Sequence, residues 1–382
     1  MIPRQTPSSF LAALVGLLVL AIGASAAADG LRVSGDGGLL LRGEPFRGYG
    51  VNYYDAFNRT LGENARTGYD AGFAELARRK IPFARFAACG YWPNDQRLYL
   101  TNQAEFFRRL DGVVKSAERH GIGLIPSLFW FHATVPDLVG EPVSKWGDPA
   151  SRTHAFMRSY VSNVVTRYRG SAAVWAWEFG NEFNLPADLP NAAEHRPPVV
   201  PTLGTPTNRS ASDEMTHLAF RTVLKAFGEE VRRHDPHRLI LSGNAFPRSS
   251  AWHQMKEKNW QKDSPEQFET MLAGDNPGPV NSLTVRGYED ADFTRIPAAI
   301  AAARRLHRPL FVGEFGVPGP ANDGSKAAFV RRLEKLGRDG VTFAALWVFD
   351  FDGQKDDWSV TAANDRAYQL NALQEFNGRW RK

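Results

Sequence analysis

The chain has 382 residues, of which 43% are hydrophobic, 23% charged and 12% aromatic, enough for a large buried core and too apolar for a disordered chain. Forty-six basic residues against 41 acidic ones leave a formal charge of +5, with the basic side chains scattered among acids; this argues against a nucleic-acid partner despite a pI of about 9.3. A single cysteine, Cys89, excludes an internal disulfide framework and any Cys-rich zinc site.

The N-terminus reads as a targeting segment. Arg4 supplies a positive start, Phe10–Ile22 an apolar run, and Gly23-Ala24-Ser25-Ala26-Ala27-Ala28 a small-residue cleavage region. That is the pattern of a secretory signal peptide over residues 1–28, cut after Ala28 or Ala26. An uncleaved anchor is the alternative, but the run is short of the roughly 20 residues a span needs. No later segment is apolar enough to cross a bilayer, so the mature chain is expected to be secreted or periplasmic, without a membrane span, and a monomer.

Residues 29–382 read as one domain. Gly37–Phe46 has the turn signals of a small β-hairpin cap. Eight short apolar runs follow as candidate strands: Arg47–Asn52, Phe83–Phe86, Gly123–Phe129, Val174–Phe179, Leu239–Ser242, Leu283–Val285, Leu310–Val312 and Thr342–Val348. Amphipathic stretches alternate with them: Tyr69–Arg79, Gln103–His120, Ser151–Arg167, Ser212–His234, Pro265–Leu272, Pro297–Leu306, Ser325–Gly337 and Arg366–Asn377. Eight strand–helix units predict an α/β fold, a closed (β/α)8 TIM barrel. Gly121 is the expected C-cap of the second helix, and Asp148-Pro149 the expected start of the third. The long stretch Asn184–Arg209 follows the fourth strand and is expected to shape a cleft on the binding face, with His132–Trp146 on the same side.

The chemistry sits at strand ends. The fourth strand ends Trp177-Glu178-Phe179-Gly180-Asn181-Glu182, the seventh Val312-Gly313-Glu314-Phe315-Gly316, and the eighth Ala345-Leu346-Trp347. Carboxylates just past non-adjacent strands face each other across a barrel mouth. Two facing carboxylates are what glycosidic bond cleavage requires: one gives a proton to the leaving oxygen, the other supplies negative charge to the anomeric carbon. A glutamate on a loop is more often merely solvated, and it is the pairing that singles out these two. Glu178 alternates away from Phe179 and is expected to be structural, paired with a basic neighbour.

Asn-Glu after the fourth strand, Glu after the seventh and Trp after the eighth resemble clan A glycoside hydrolases, and family 5 (cellulases, mannanases and relatives) in particular. The resemblance runs from Gly48-Tyr49-Gly50-Val51-Asn52-Tyr53 to Trp347. It implies a (β/α)8 barrel and retaining double displacement, with Glu182 as general acid/base and Glu314 as nucleophile. It further implies Arg85 as a cation beside the nucleophile, Tyr288 as its hydroxyl donor, Asn181 on the sugar 2-OH and Trp347 as the floor under the sugar. Trp130 and Asn52 are the remaining candidate substrate contacts; Trp92, Trp146 and Trp252 either form outer subsites or pack under loops. His132 is as well explained by a loop hydrogen bond as by a substrate contact.

Two features depart from the family pattern. Arg286-Gly287-Tyr288 stands where His-x-Tyr is common, and the third strand ends Phe129-Trp130 where many cellulases carry histidine. The second favours β-mannan over β-glucan as the carbohydrate partner. The first keeps open a catalytically silent sugar-binding barrel; a transglycosylase would use the same residues as a hydrolase. No metal-ligand spacing, phosphate-binding loop or Gly-x-Ser-x-Gly elbow is present, so neither a metal nor a cofactor is expected.

Overall fold

The computed structural model describes residues 30–62 and 65–380; the expected signal peptide lies outside the described residues. A three-stranded antiparallel sheet comes first: β1 (Leu31–Val33), β2 (Leu39–Leu41) and β3 (Glu44–Pro45). Eight parallel strands follow: β4 (Gly48–Asn52), β5 (Phe83–Ala87), β6 (Gly123–Phe129), β7 (Ala176–Gly180), β8 (Leu239–Leu241), β9 (Leu283–Gly287), β10 (Leu310–Phe315) and β11 (Phe343–Leu346). They pair in the order β8-β7-β6-β5-β4-β11-β10-β9. The seam between β8 and the approach to β9 is stitched by Asn281, whose N–H donates to the Ile240 carbonyl at 3.2 Å while its Oδ1 accepts from the Ile240 N–H at 2.8 Å. The architecture is the expected (β/α)8 barrel with an N-terminal β cap.

The small sheet plugs one end. Leu31 and Leu39 pack into the barrel interior with Phe83, Ile125, Trp175, Leu239, Leu241, Phe311, Phe343 and Ala345. Burying such side chains is worth about 1.5–3 kcal/mol each, so this end is a packed core and not a channel. Gly50 permits it, because a Cβ there would lie 2.4 Å from the Phe83 carbonyl oxygen. The opposite end, at the strands' C-termini, is left for the loops.

The helices between the strands are α1 (Tyr69–Arg78), α2 (Pro93–Thr101), α3 (Gln103–His120), α4 (Thr134–Val139), α5 (Arg152–Tyr168), α6 (His217–His234), α7 (Ala251–Glu257), α8 (Pro265–Gly274), α9 (Asp290–Arg305), α10 (Asp323–Asp339) and α11 (Ala367–Arg379). Gly121 caps α3 in the left-handed conformation, at φ 66°, as its sequence predicts. The start of α5 differs from expectation. Ser151 is the cap, its hydroxyl accepting from the His154 N–H at 3.1 Å, while Asp148 accepts from Ala150 in the preceding turn. Helix α9 begins at Asp290 and runs through Pro297, with its first turn fixed by Asp292 Oδ2 accepting from the Glu289 N–H at 3.0 Å; proline's helix-breaking tendency hid this turn in the sequence. Helices α2, α4 and α7 are short inserts in post-strand loops, too brief for periodicity to reveal.

Asn377 of α11 ties the last helix to β4: its Oδ1 accepts from the Tyr49 N–H at 2.9 Å and its Nδ2 donates to the Tyr49 carbonyl at 2.8 Å. Asn377→Ala strands two buried backbone groups and is expected to lower the unfolding free energy by about 2–4 kcal/mol. Urea denaturation checks this; an unchanged midpoint would contradict it.

Candidate active site

The site begins with an irregularity in β10. Val312 pairs with Val285 of β9, but the next partner of Arg286 is Glu314, so Gly313 is an extra residue in the ladder. A bulge re-aims the following side chain. Here it turns Glu314 toward Arg286, and only glycine fits the bulge, because a Cβ on Gly313 would lie 1.9 Å from Arg286 Nη1. The freed Gly313 carbonyl accepts from Asn52 Nδ2 at 2.9 Å.

Glu314 is 4% exposed. Its Oε1 accepts from Arg85 Nη1 at 2.7 Å and lies 3.2 Å from Arg286 Nε; its Oε2 accepts from the Tyr288 hydroxyl at 2.5 Å. Arg85, on β5, is wholly buried and is shared between two carboxylates, with Nε donating to Glu178 Oε1 at 2.7 Å. Glu178 is therefore the structural partner its strand position suggested. Trp130 covers the Arg85 guanidinium, which lies 4.4 Å from its ring centroid.

Glu182 follows β7 with φ at 54°, a left-handed backbone that costs a non-glycine residue about 1–3 kcal/mol and tends to occur at functional sites. Its N–H donates to the Gly243 carbonyl at 3.0 Å, and the neighbouring Asn181 N–H to the Trp130 carbonyl at 3.2 Å, which holds the turn. Glu182 Oε1 is 3.8 Å from Arg286 Nε. The same nitrogen is 3.2 Å from Glu314 Oε1, so these oxygens are at most about 7 Å apart. That bound admits the about 5–5.5 Å spacing of a retaining pair. Burial, reinforced by the charge of Glu314, pushes the Glu182 carboxyl up to about 7, against the opposing pull of Arg286, Arg85 and Arg248. The two acids thus occupy unlike environments.

A cleft of about 650 Å³ opens over this pair. Asn181, Glu182, Tyr288, Glu314, Trp130 and Trp347 all line it. Trp347 stands on its wall with Nε1 donating to Gln354 Oε1 at 2.9 Å, and stacks with Trp130 at a ring angle of 24°. Asn52 does not reach the cleft: it is fully buried and supports Arg85 from behind, Oδ1 accepting from Arg85 Nη1 at 2.9 Å. Of the other tryptophans Trp92 lines the cleft, Trp146 is core, and Trp252 lies outside it. His132 accepts, through its carbonyl, from Trp146 Nε1 and is not in the cleft wall.

The Asn184–Arg209 loop was expected to shape the cleft and supplies none of its lining. It is tied instead to the helices beneath, Arg209 gripping Asp137 of α4 with bonds of 2.6 and 2.7 Å. The walls come from other post-strand segments: Tyr54 and Asn58 after β4, Tyr91 and Asp95 beside Trp92 after β5, and Phe351, Gln354 and Trp358 after β11. The signal for them was the recurrence of aromatics just past strand ends. Among the described residues, no group of three or more His, Cys, Asp or Glu side chains is placed to hold a metal ion, and no helix is long and apolar enough to cross a membrane.

No family model matches the chain. Locally it is 39% identical over 82 residues to a probable mannan endo-1,4-β-mannosidase A of Aspergillus flavus, covering 20% of this chain and 21% of that one. It is 37% identical over 86 residues to the mannan endo-1,4-β-mannosidase A of Hypocrea jecorina, covering 21% and 19%. The chain thus matches only about a fifth of the length of these curated relatives. In three dimensions the likeness is far longer. The endo-1,4-β-mannanase of Rhizomucor miehei superimposes with a TM-score of 0.64 at 15% identity, over 92% of this chain and 99% of that one. The endo-β-1,4-mannanase of Thermotoga petrophila gives 0.61 at 15% identity, over 88% and 77%. The fold is shared with these glycoside hydrolases. The local identity to mannan endo-1,4-β-mannosidases agrees with the resemblance read from the sequence.

Glu178→Ala leaves half of the Arg85 bridge unpaired in the interior. Removing one partner of a buried pair costs about 3–5 kcal/mol. Denaturant titration should register that loss, and a fully stable variant would contradict the bridging role.

Proposed function

We propose that the protein is a retaining glycoside hydrolase of the family 5 type, acting on β-linked polysaccharides or oligosaccharides, with β-mannan as the substrate. The observation that carries this reading is that Glu182 and Glu314, from non-adjacent strands, meet at one guanidinium nitrogen beneath an aromatic cleft. Mannan in particular is supported by the printed activities of the matched relatives and by the aromatic end of β6. Export of the mature chain, on the strength of its N-terminal pattern, and action as a monomer complete the reading.

In this mechanism the sugar at the cleaved bond lies against Trp347. Arg85 and Tyr288 hold the Glu314 carboxylate with one oxygen each, in line with the anomeric carbon. Glu314 attacks that carbon while Glu182 gives its proton to the departing oxygen, and the glycosidic bond breaks. The resulting glycosyl ester on Glu314 is then opened by water. Glu182, now a carboxylate, takes the water's proton, and Glu314 leaves as a carboxylate. No net proton is consumed, and the anomeric configuration is inverted twice. Arg286, the departure that left a silent barrel open, is compatible with turnover: it leaves both carboxylates in place and adds a cation between them.

Reducing-end release should appear on β-mannan above cellulose, mixed-linkage glucan and xylan, and should vanish in Glu314→Ala. Measurable sugar binding with no reducing ends from any of the four would overturn the hydrolase reading. Azide should restore turnover in Glu314→Ala, giving a product of inverted configuration. Glu182 must carry its proton in the first step, so kcat/KM should fall as pH rises through about 7. A profile flat to pH 9 would remove Glu182 as the acid.

A further inference from the structure

Arg286 has no place in the family pattern and takes no part in the bond and proton steps above. It is 3% exposed, and its position is built rather than accidental. The Gly313 bulge vacates the space its Nη1 occupies. Gly243, held at φ 77°, turns its carbonyl to accept from Arg286 Nη2 at 2.6 Å. That same carbonyl receives the Glu182 N–H, so Arg286 secures the turn that presents Glu182.

Asn181 is fixed more tightly still. Its Oδ1 accepts from Arg286 Nη2 and from Arg85 Nη2, both at 2.9 Å. A guanidinium has donors only, so two of them flanking one amide leave no choice of orientation: the oxygen must face them. The amide's Nδ2 is then the atom left for the cleft, and it can only donate.

Resting on the glycosidase reading, we propose that Arg286 is a positioning residue that acts through Asn181, locking its amide so that Nδ2 donates to the sugar hydroxyl beside the anomeric carbon, while its charge is shared between Glu182 and Glu314. Arg286 Nε stands within ion-pair range of both carboxylates and has no hydrogen-bond partner of its own, as suits a cation serving two acids. The charges facing Glu182 are Glu314 from β10, Arg286 from β9, Arg85 from β5 and Arg248 from the loop after β8; Tyr288 stands beside them. Beneath the cleft, Arg85 and Arg286 balance Glu178 and Glu314. Ionised Glu182 is a third anion, and removing Arg286 leaves only Arg85 and the loop residue Arg248 to offset three carboxylates.

The test compares wild type with Arg286→Met, which removes charge and donors, and Arg286→Lys, which keeps the charge but loses the fork. Carboxyl carbon NMR of glutamate-labelled protein, assigned with Glu182→Gln, follows the Glu182 titration without needing turnover. The midpoint should rise by about one unit in Arg286→Met and stay near the wild-type value in Arg286→Lys. In an active wild type the alkaline limb of kcat/KM should rise with it. Both variants should lose kcat, and Arg286→Met combined with Asn181→Ala should lose less than the product of the two single losses, because Arg286 acts in part through Asn181. An unmoved midpoint, or losses that multiply in the double variant, would overturn the proposal. Arg286→His, studied above the titration of its imidazole, repeats the comparison should Arg286→Met not fold. A wild type inactive on every β-glycan would defeat the glycosidase reading instead, and the NMR midpoint would still decide the electrostatic role of Arg286.

Discussion

The site depends on one buried guanidinium. Arg85 has no contact with solvent, yet it binds Glu178, Glu314, Asn52 and Asn181 at 2.7–2.9 Å. An arginine can serve four acceptors because its donors lie in a rigid planar fork. Burying it is costly, and the cost is offset only because two carboxylates and two amides surround it. This has a geometric consequence. Once Arg85 is fixed between β7 and β10, the end of β7 and the bulge of β10 are fixed with it, and so are the residues that follow. The placement of Glu314 and Asn181 and the satisfaction of the buried guanidinium are the same set of bonds.

The barrel's two ends divide the work. The N-terminal end is closed by leucine, phenylalanine and tryptophan side chains around the small sheet, and it supplies stability. The C-terminal end carries left-handed backbone at Glu182, a ladder bulge at Gly313 and buried ion pairs, all of them features that cost stability. Such features persist where the surroundings over-determine them. The aromatic walls have a further effect. Tyr54, Trp130, Trp347 and Trp358 line the cleft with flat apolar faces and keep the pair of acids in a low dielectric, which strengthens every charge interaction among them.

How much of this was legible in the sequence follows from the range of each interaction. The eight strands were readable because parallel strands buried on both faces leave continuous apolar runs, as in Gly123–Phe129. Glu182 and Glu314 were readable because each follows such a run directly. Asn52 looked like a substrate contact for the same reason, and its true position behind Arg85 depends on a side-chain direction that strand position does not encode. Arg286 was visible only as a missing histidine; its contacts arise from the Gly313 bulge, a ladder irregularity without a local signature. The Asn184–Arg209 loop was the longest, but length does not say which way a loop folds, and the Arg209–Asp137 pair draws it away from the cleft.

Proton NMR of mannan-oligosaccharide cleavage, followed from the earliest seconds, reads the anomeric configuration of the first product and so decides between double and single displacement. The proposed double displacement, through a glycosyl ester on Glu314, releases the β-anomer first, with the α-anomer arising only later by mutarotation. An α-anomer released first would mean a single displacement by water, and would contradict the account.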